Sequence, residues 1–325
     1  MKILIFGGTG FVGLNIAAAL LARGHVVTLF DRASLPVAAQ RDFASFAKSL
    51  TVVSGDVTDR QAVIDLVAAG FDAIVLGAAI TAGPARDAAD PELIMQVNLL
   101  AQLPVLVAAR RGGVGRIINL SSGSAYGAAG TRHAVLDEDT PCDPETLYAI
   151  TKYASERVAA RLAALWNLDI ASVRLSGVFG TWERATGVRD TLSPQAQMLA
   201  CLHQRSEAVL PRAGVKDWIY APDVADVVVL LIEAPKLEHG LYNISTGRAW
   251  SALQWGQKLA ELHPGFVCRL AGPGEAATID LHGPTDRASL SISRLEAEFG
   301  WRARFGCDES VADLNAWWTR HQEGA

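Results

Sequence analysis

The chain has 325 residues, half of them apolar, and its 29 basic and 34 acidic side chains give a net charge of −5. That composition allows one large or two modest domains with a substantial core, and the lack of a basic face or Lys/Arg run excludes nucleic acid or an anionic membrane surface as the main partner. Four scattered cysteines (Cys142, Cys201, Cys268 and Cys307) have no zinc or disulfide spacing, the histidines form no ligand-spaced cluster, and neither a secretory leader nor an apolar run of spanning length is read, so a reduced, cytoplasmic, metal-free protein is expected.

In chain order, Lys2–Phe6 is a short apolar run that predicts a strand, followed by a glycine turn and a helical stretch through about Arg23. Val26–Phe30 is a second apolar run, ending in Asp31. Strand-like runs recur at Thr51–Val53, Ala73–Leu76, Arg116–Leu120 and Ile170–Arg174, separated by helical segments at Arg60–Ala69, Pro91–Arg111 and Leu147–Trp166. Strands alternating with helices predict an α/β fold, a Rossmann-type doubly wound parallel sheet covered on both faces. The alternation weakens after about residue 180. Thr181–Arg189 is rich in charge, Gln195–His203 and Asp223–Glu233 read as helices, Tyr242–Ile244 as a strand, and Glu309–His321 as a terminal helix. The expected organisation is a dinucleotide-binding domain over 1–180, completed by about 219–245 and the C-terminal helix. A smaller substrate-binding lobe, 181–218 and 246–290, would lie over the carboxyl edge of the sheet, where open α/β sheets bind ligands.

The turn after the first strand spaces its glycines as G-x-x-G-x-x-G, in Gly7-Gly-Thr-Gly10-Phe11-Val12-Gly13. Such a turn permits close backbone approach to a pyrophosphate beneath a positive helix end. Asp31, at the end of the second strand, suits the adenosine ribose hydroxyls, and Asp56-Val57 follows the third strand, where the adenine would lie. A carboxylate at Asp31 favours NAD over NADP, although the neighbouring guanidinium of Arg32 can also hold a 2′-phosphate.

Tyr148 and Lys152 stand four apart at the start of a helix, hence on one face and one turn apart. An ammonium beside a phenol favours the phenolate and draws its pKa down from about 10, which makes Tyr148 a candidate acid/base for a hydroxyl or carbonyl. With the glycine turn upstream and Ser121-Ser122 between, the pattern points to hydride chemistry on an alcohol.

These residues resemble the extended short-chain dehydrogenase/reductase family, the NAD-dependent epimerase/dehydratase group. The resemblance runs through Gly7–Gly13, Asn98, Leu120-Ser-Ser122, Tyr126-Gly127, Tyr148-x-x-x-Lys152, Asp217-Trp-Ile-Tyr-Ala-Pro-Asp-Val-Ala225, Tyr242-Asn-Ile-Ser-Thr-Gly247 and Phe299-Gly-Trp301, in family order. It implies Tyr148 as acid/base, Lys152 as its electrostatic partner and a nicotinamide-ribose ligand, and Ser122 on the reacting oxygen. Ser124 is expected beside the substrate, and Asn98 within the catalytic network and near the cofactor. Leu76, Gly77, Ala78 and Ala79 would form the loop under the cofactor, and Leu175 and Val178 would lie by the nicotinamide, with Gly177 where Asn is frequent. The resemblance also implies a homodimer through the helices near 91–111 and 147–166, whose Leu99, Leu103 and Leu106 form an exposed-looking stripe.

Members that act on sugar nucleotides generally hold the diphosphate with arginines of the second lobe. Here Lys216 stands at one such position, and His282-Gly-Pro-Thr-Asp-Arg287 supplies only a displaced Arg287 at the other. Trp182, Arg184 and Arg189 are therefore the expected substrate contacts, with one arginine pairing a carboxylate or phosphate of a small sugar-acid-like molecule. The first expectation is an NAD-dependent dehydrogenase acting on a secondary alcohol of a sugar or sugar acid. A sugar or nucleotide-sugar epimerase with tightly bound NAD is the alternative, followed by a dehydratase, ranked lower because Gly123-Ser124 replaces an Asp-Glu pair, and by a silent NAD-binding protein.

Overall fold

The computed structural model describes residues 1–322. Seven parallel strands form the main sheet: β1 (Lys2–Phe6), β2 (Val26–Asp31), β3 (Leu50–Ser54), β4 (Ala73–Leu76), β5 (Arg116–Ser122), β6 (Ile170–Leu175) and β7 (Leu241–Ile244). Their order across the sheet is β7-β6-β5-β4-β1-β2-β3. The central strands are covered on both faces, which is why they read as unbroken apolar runs rather than alternating ones; all four residues of β4 are buried. The chain reverses its winding between β1 and β4, and their carboxyl ends open the crevice that holds the site.

Helix Phe11–Ala22 is apolar nearly all round because it is sandwiched. Leu14, Ile16, Ala17, Leu20 and Leu21 share one core with Val224, Val227, Val228 and Leu231 of helix Ala221–Glu233, the second helix covering that face of the sheet. On the other face, Val105, Leu106, Ala108 and Ala109 pack with Leu4, Ile74 and Ile117. They belong to the helical segment Pro91–Gly112, which is long and apolar enough by composition for a membrane span yet lies against the sheet. A π-helical turn at Gln96–Leu100 interrupts that segment, marked by the Ala101 N–H donating to Gln96 C=O at 2.8 Å.

The lobe has its own core. Trp218, Trp255, Leu259, Met198 and Leu281 are buried together, between helices Pro194–His203 and Ala252–Leu262 and the paired strands Ala208–Leu210 and Cys268–Leu270. Helix Cys307–Gln322 packs there too, through Cys307, Val311 and Leu314. Its apolar face meets Trp255 and Leu259, while Trp317 and His321 farther along reach Trp182 and Asp42. The helical stripe needs a correction. Leu106 is fully buried under the sheet, whereas Leu100, Leu103, Ile150 and Leu165 are exposed.

Candidate active site

The cofactor half is built by the glycine turn. Gly7 has φ +75°, and a Cβ there would fall 2.7 Å from the Ala78 amide nitrogen. A Cβ on Gly13 would fall 2.3 Å from the Gly7 carbonyl oxygen, so only glycines let helix Phe11–Ala22 begin this close to the strand end. Its N-cap, Gly10, offers no side chain, so the first-turn N–H groups are left to an anion. Asp31 accepts from the Thr9 N–H at Oδ2 (3.2 Å) and the Ala33 N–H at Oδ1 (3.2 Å). A carboxylate can accept about four hydrogen bonds, so capacity remains for a ribose diol. Arg32 is exposed and leans on Asp56 at 3.5 Å, and Asp56 is held by the Thr58 N–H and hydroxyl (2.8 and 2.7 Å). Glycine cradle, helix end and ribose carboxylate together fit a dinucleotide.

One cleft of about 450 Å³ joins this turn to the lobe. Gly7, Gly10, Phe11, Val12 and Gly13 line one part, with Gly77, Ala79, Leu175 and Val178 nearby; Ser122, Ser124, Tyr148 and Lys152 line the middle. Leu76 differs from expectation. Its side chain is buried in the core with Phe6 and Ile74, because the inward pleat of β4 points it away from the cleft. Val57 and Ala78 line a separate small hollow beside Val97 and Val105.

Three successive residues of β5 grip three successive turns of helix Leu147–Trp166. The Leu120 carbonyl accepts from Lys152 Nζ at 2.8 Å, the Ser121 hydroxyl donates to Glu156, and Ser122 stands close enough to the Tyr148 hydroxyl to lower its pKa. Ser122 Oγ also donates to Ser124 Oγ at 3.1 Å. Burial pushes the Tyr148 hydroxyl above its ordinary value, opposed by the bond to Ser122, the charge of Arg189 and a bond to Thr81. This corrects the expectation that Lys152 draws the tyrosine down. Lys152 is itself pushed down to about 8 by burial, against the pull of Glu156, and its ammonium stands 5.8 Å from the tyrosine ring centre. Behind it, Glu156 forms a buried pair with Arg174 at 2.7 Å.

Asn98 lies outside the cleft. Fully buried in the π-helical turn, it accepts from the Ile80 N–H (2.7 Å), donates to the Ile80 carbonyl (3.0 Å) and donates to Thr151 (3.2 Å). It therefore ties the segment after β4 to the Tyr148 helix, and its role is positioning rather than contact with the reacting atoms.

The lobe side departs most from expectation. Trp182 is turned away from the cleft, packed against Phe43 and Trp317 with Nε1 donating to Asp42 at 3.1 Å; large and apolar, it anchors the loop instead of meeting substrate. Arg184 reaches back to the glycine turn, donating to the Thr9 carbonyl at 3.0 Å. Arg189 lines the cleft but is matched by Glu183 at 2.8 Å, a carboxylate almost fully buried. Lys216 lines it as well, 4.8 Å above the Trp218 ring, and is pushed down to about 8 by burial and by the charge of Arg287. That indole occupies the space a side chain at Gly177 would need, since a Cβ there would come within 2.6 Å of it.

Arg287 is the main residue the spacing did not bring out. It is in the cleft, donating to Ser176 Oγ at 2.6 Å and paired with fully buried Asp217 at 3.1 Å. The parallel pairing of Ser289–Leu290 with Val135–Leu136 carries it there. His282 and Thr285 also line this wall; although His282 is exposed, desolvation in the cleft and the charges of Arg189 and Lys216 push its imidazole down to about 4. Among the described residues, the one group with metal-ligand chemistry, Glu238, His239 and Glu298, lies outside the cleft lining. The oxygens of Glu298 already accept from the Glu238 N–H and the Tyr242 hydroxyl.

A model of the NAD dependent epimerase/dehydratase family matches residues 3–245. A UDP-glucose 4-epimerase of Corynebacterium glutamicum is 26% identical over 314 residues, 93% of this chain and 90% of its own length. Sterol demethylase protein B of Methylococcus capsulatus is 31% identical over 272 residues, 81% and 76% of the two chains. The structure of UDP-glucose 4-epimerase from Bifidobacterium longum in complex with NAD+ and UDP superposes with a TM-score of 0.84 at 24% identity, over the whole of both chains, and so shares the fold. With its glycine cradle, its Ser-Tyr-Lys cluster and a family match over three quarters of its length, the chain belongs to the NAD-dependent epimerase/dehydratase family.

Proposed function

We propose that the protein is an NAD-dependent epimerase of a sugar carried on a nucleoside diphosphate. The observation that carries this reading is the juxtaposition of Lys216 and Arg287 on the lobe wall of the cleft that also holds Ser122 and Tyr148. Lys216, together with Arg287, whose charge is shared with buried Asp217, leaves this wall net positive, which suits a diphosphate whose sugar then reaches the tyrosine. The displaced Arg287 thus supplies the partner that the sequence spacing left missing. The curated relatives named as UDP-glucose 4-epimerases support the same choice. A dehydrogenase of a free sugar acid has less support, since Arg184 is engaged at the glycine turn and Arg189 is neutralised by Glu183.

In this reading NAD, when bound, supplies the site that takes up and returns a hydride. Tyr148 takes the proton of the sugar hydroxyl and later returns one, while Ser122 hydrogen-bonds the same oxygen throughout. Lys152, held by Leu120, keeps a positive charge beside the tyrosine and offers a donor to a ribose hydroxyl. His282, uncharged, offers the substrate hydrogen bonding without further repulsion of the anion's partners.

The test is UDP binding by calorimetry. Lys216 is charged below about pH 8 and neutral above it, so affinity for the diphosphate is expected to fall as pH rises from 7 to 9. Lys216→Met should bind about tenfold more weakly at pH 7 and show a flatter pH profile. Equal affinity of Lys216→Met and the parent at pH 7 would refute a diphosphate at this wall.

A further inference from the structure

The lobe segment that was expected to meet substrate is fastened to the dinucleotide half. Asn15, on the helix after the glycine turn, donates to the Thr181 carbonyl at 3.0 Å and accepts from the Thr181 hydroxyl at 2.8 Å, and both contacts are buried. Trp182 follows at φ +60°, a left-handed conformation costly for a large side chain. Packing against Phe43 and Trp317 and the bond to Asp42 hold it there. Arg184 comes next. Its Nη2 donates to the Thr9 carbonyl, while its Nη1 is shielded from solvent and has no protein partner. The residue lines the same cleft as Gly7, Gly10 and Gly13.

A guanidinium nitrogen left unpaired in a shielded place calls for an acceptor, and an anion is the acceptor that best offsets its desolvation. We propose that Arg184 is a cofactor residue: it binds the pyrophosphate of NAD from the lobe segment while the glycine turn cradles it. The pyrophosphate is favoured over the adenosine ribose because Asp31 already supplies the diol's acceptor and Arg184 offers only donors. The contact rests on the assignment of NAD as cofactor.

The experiment uses full-length protein stripped of nucleotide, with calorimetric titration of NAD, ADP-ribose and adenosine. Arg184→Gln is expected to weaken NAD and ADP-ribose by about tenfold or more and to leave adenosine unchanged. Arg184→Lys, which keeps the cation, should lose less than the Gln variant with both pyrophosphate ligands. Unchanged affinity for NAD in Arg184→Gln, or an equal loss with adenosine, would overturn the contact and leave Arg184 as a strut of the loop.

Discussion

Tyr148 illustrates how a motif gains content from its surroundings. The four-residue spacing to Lys152 placed both on one helix face, and the structure adds where each polar end goes: the lysine to a strand carbonyl, the tyrosine to Ser122 and Thr81. Burial raises the tyrosine above its ordinary value in this structure, against the pull of its neighbours. Removing only its oxygen tests the acid/base role. Tyr148→Phe is expected to lower turnover by roughly 10²- to 10⁴-fold while leaving NAD affinity and the melting temperature close to the parent's. A variant retaining near-parental turnover would show that another group moves the proton.

At the scale of elements, the π-helical turn at Gln96–Leu100 does what a regular helix would not. The extra residue in that turn accompanies the placing of Asn98 against both polar groups of Ile80, the link by which the loop after β4 and the Tyr148 helix keep register. The same two helices expose Leu100, Leu103, Ile150 and Leu165. Single exposed leucines are ordinary, but four on adjoining helices suit the homodimer that the family resemblance implies. Sedimentation velocity at micromolar concentration should show a dimer, with Leu103→Glu shifting it to monomer. A parent protein that sediments as a monomer would remove that assembly.

Across the whole molecule, legibility followed burial and sequence distance. Ala73–Leu76 and Leu147–Trp166 were readable to the residue, the first as a doubly covered strand and the second as a helical segment, which the structure caps with the Thr146 hydroxyl accepting from the Ala149 N–H. The lobe was not readable in the same way. Helix Ala252–Leu262 carries its apolar face toward Trp218 and Met198, partners that only the fold assembles. Arg287 is brought to Asp217 across 70 residues of chain by a short strand pair no local pattern announces. Trp182 and Arg184 had the right chemistry for a substrate loop, yet packing on Phe43 and the reach to Thr9 send them elsewhere.

Those long-range placements turn the reading from a dehydrogenase that releases its products toward an epimerase that keeps its cofactor. The most direct test is incubation of the NAD-loaded protein with UDP-glucose and with UDP-galactose, followed by proton NMR of the sugars and absorbance at the NADH band. Interconversion of the two sugars with no NADH accumulating beyond the enzyme's own concentration is the predicted result. Steady NADH formation with a single oxidised product, or no reaction with any nucleotide sugar but turnover of a free sugar acid, would contradict it.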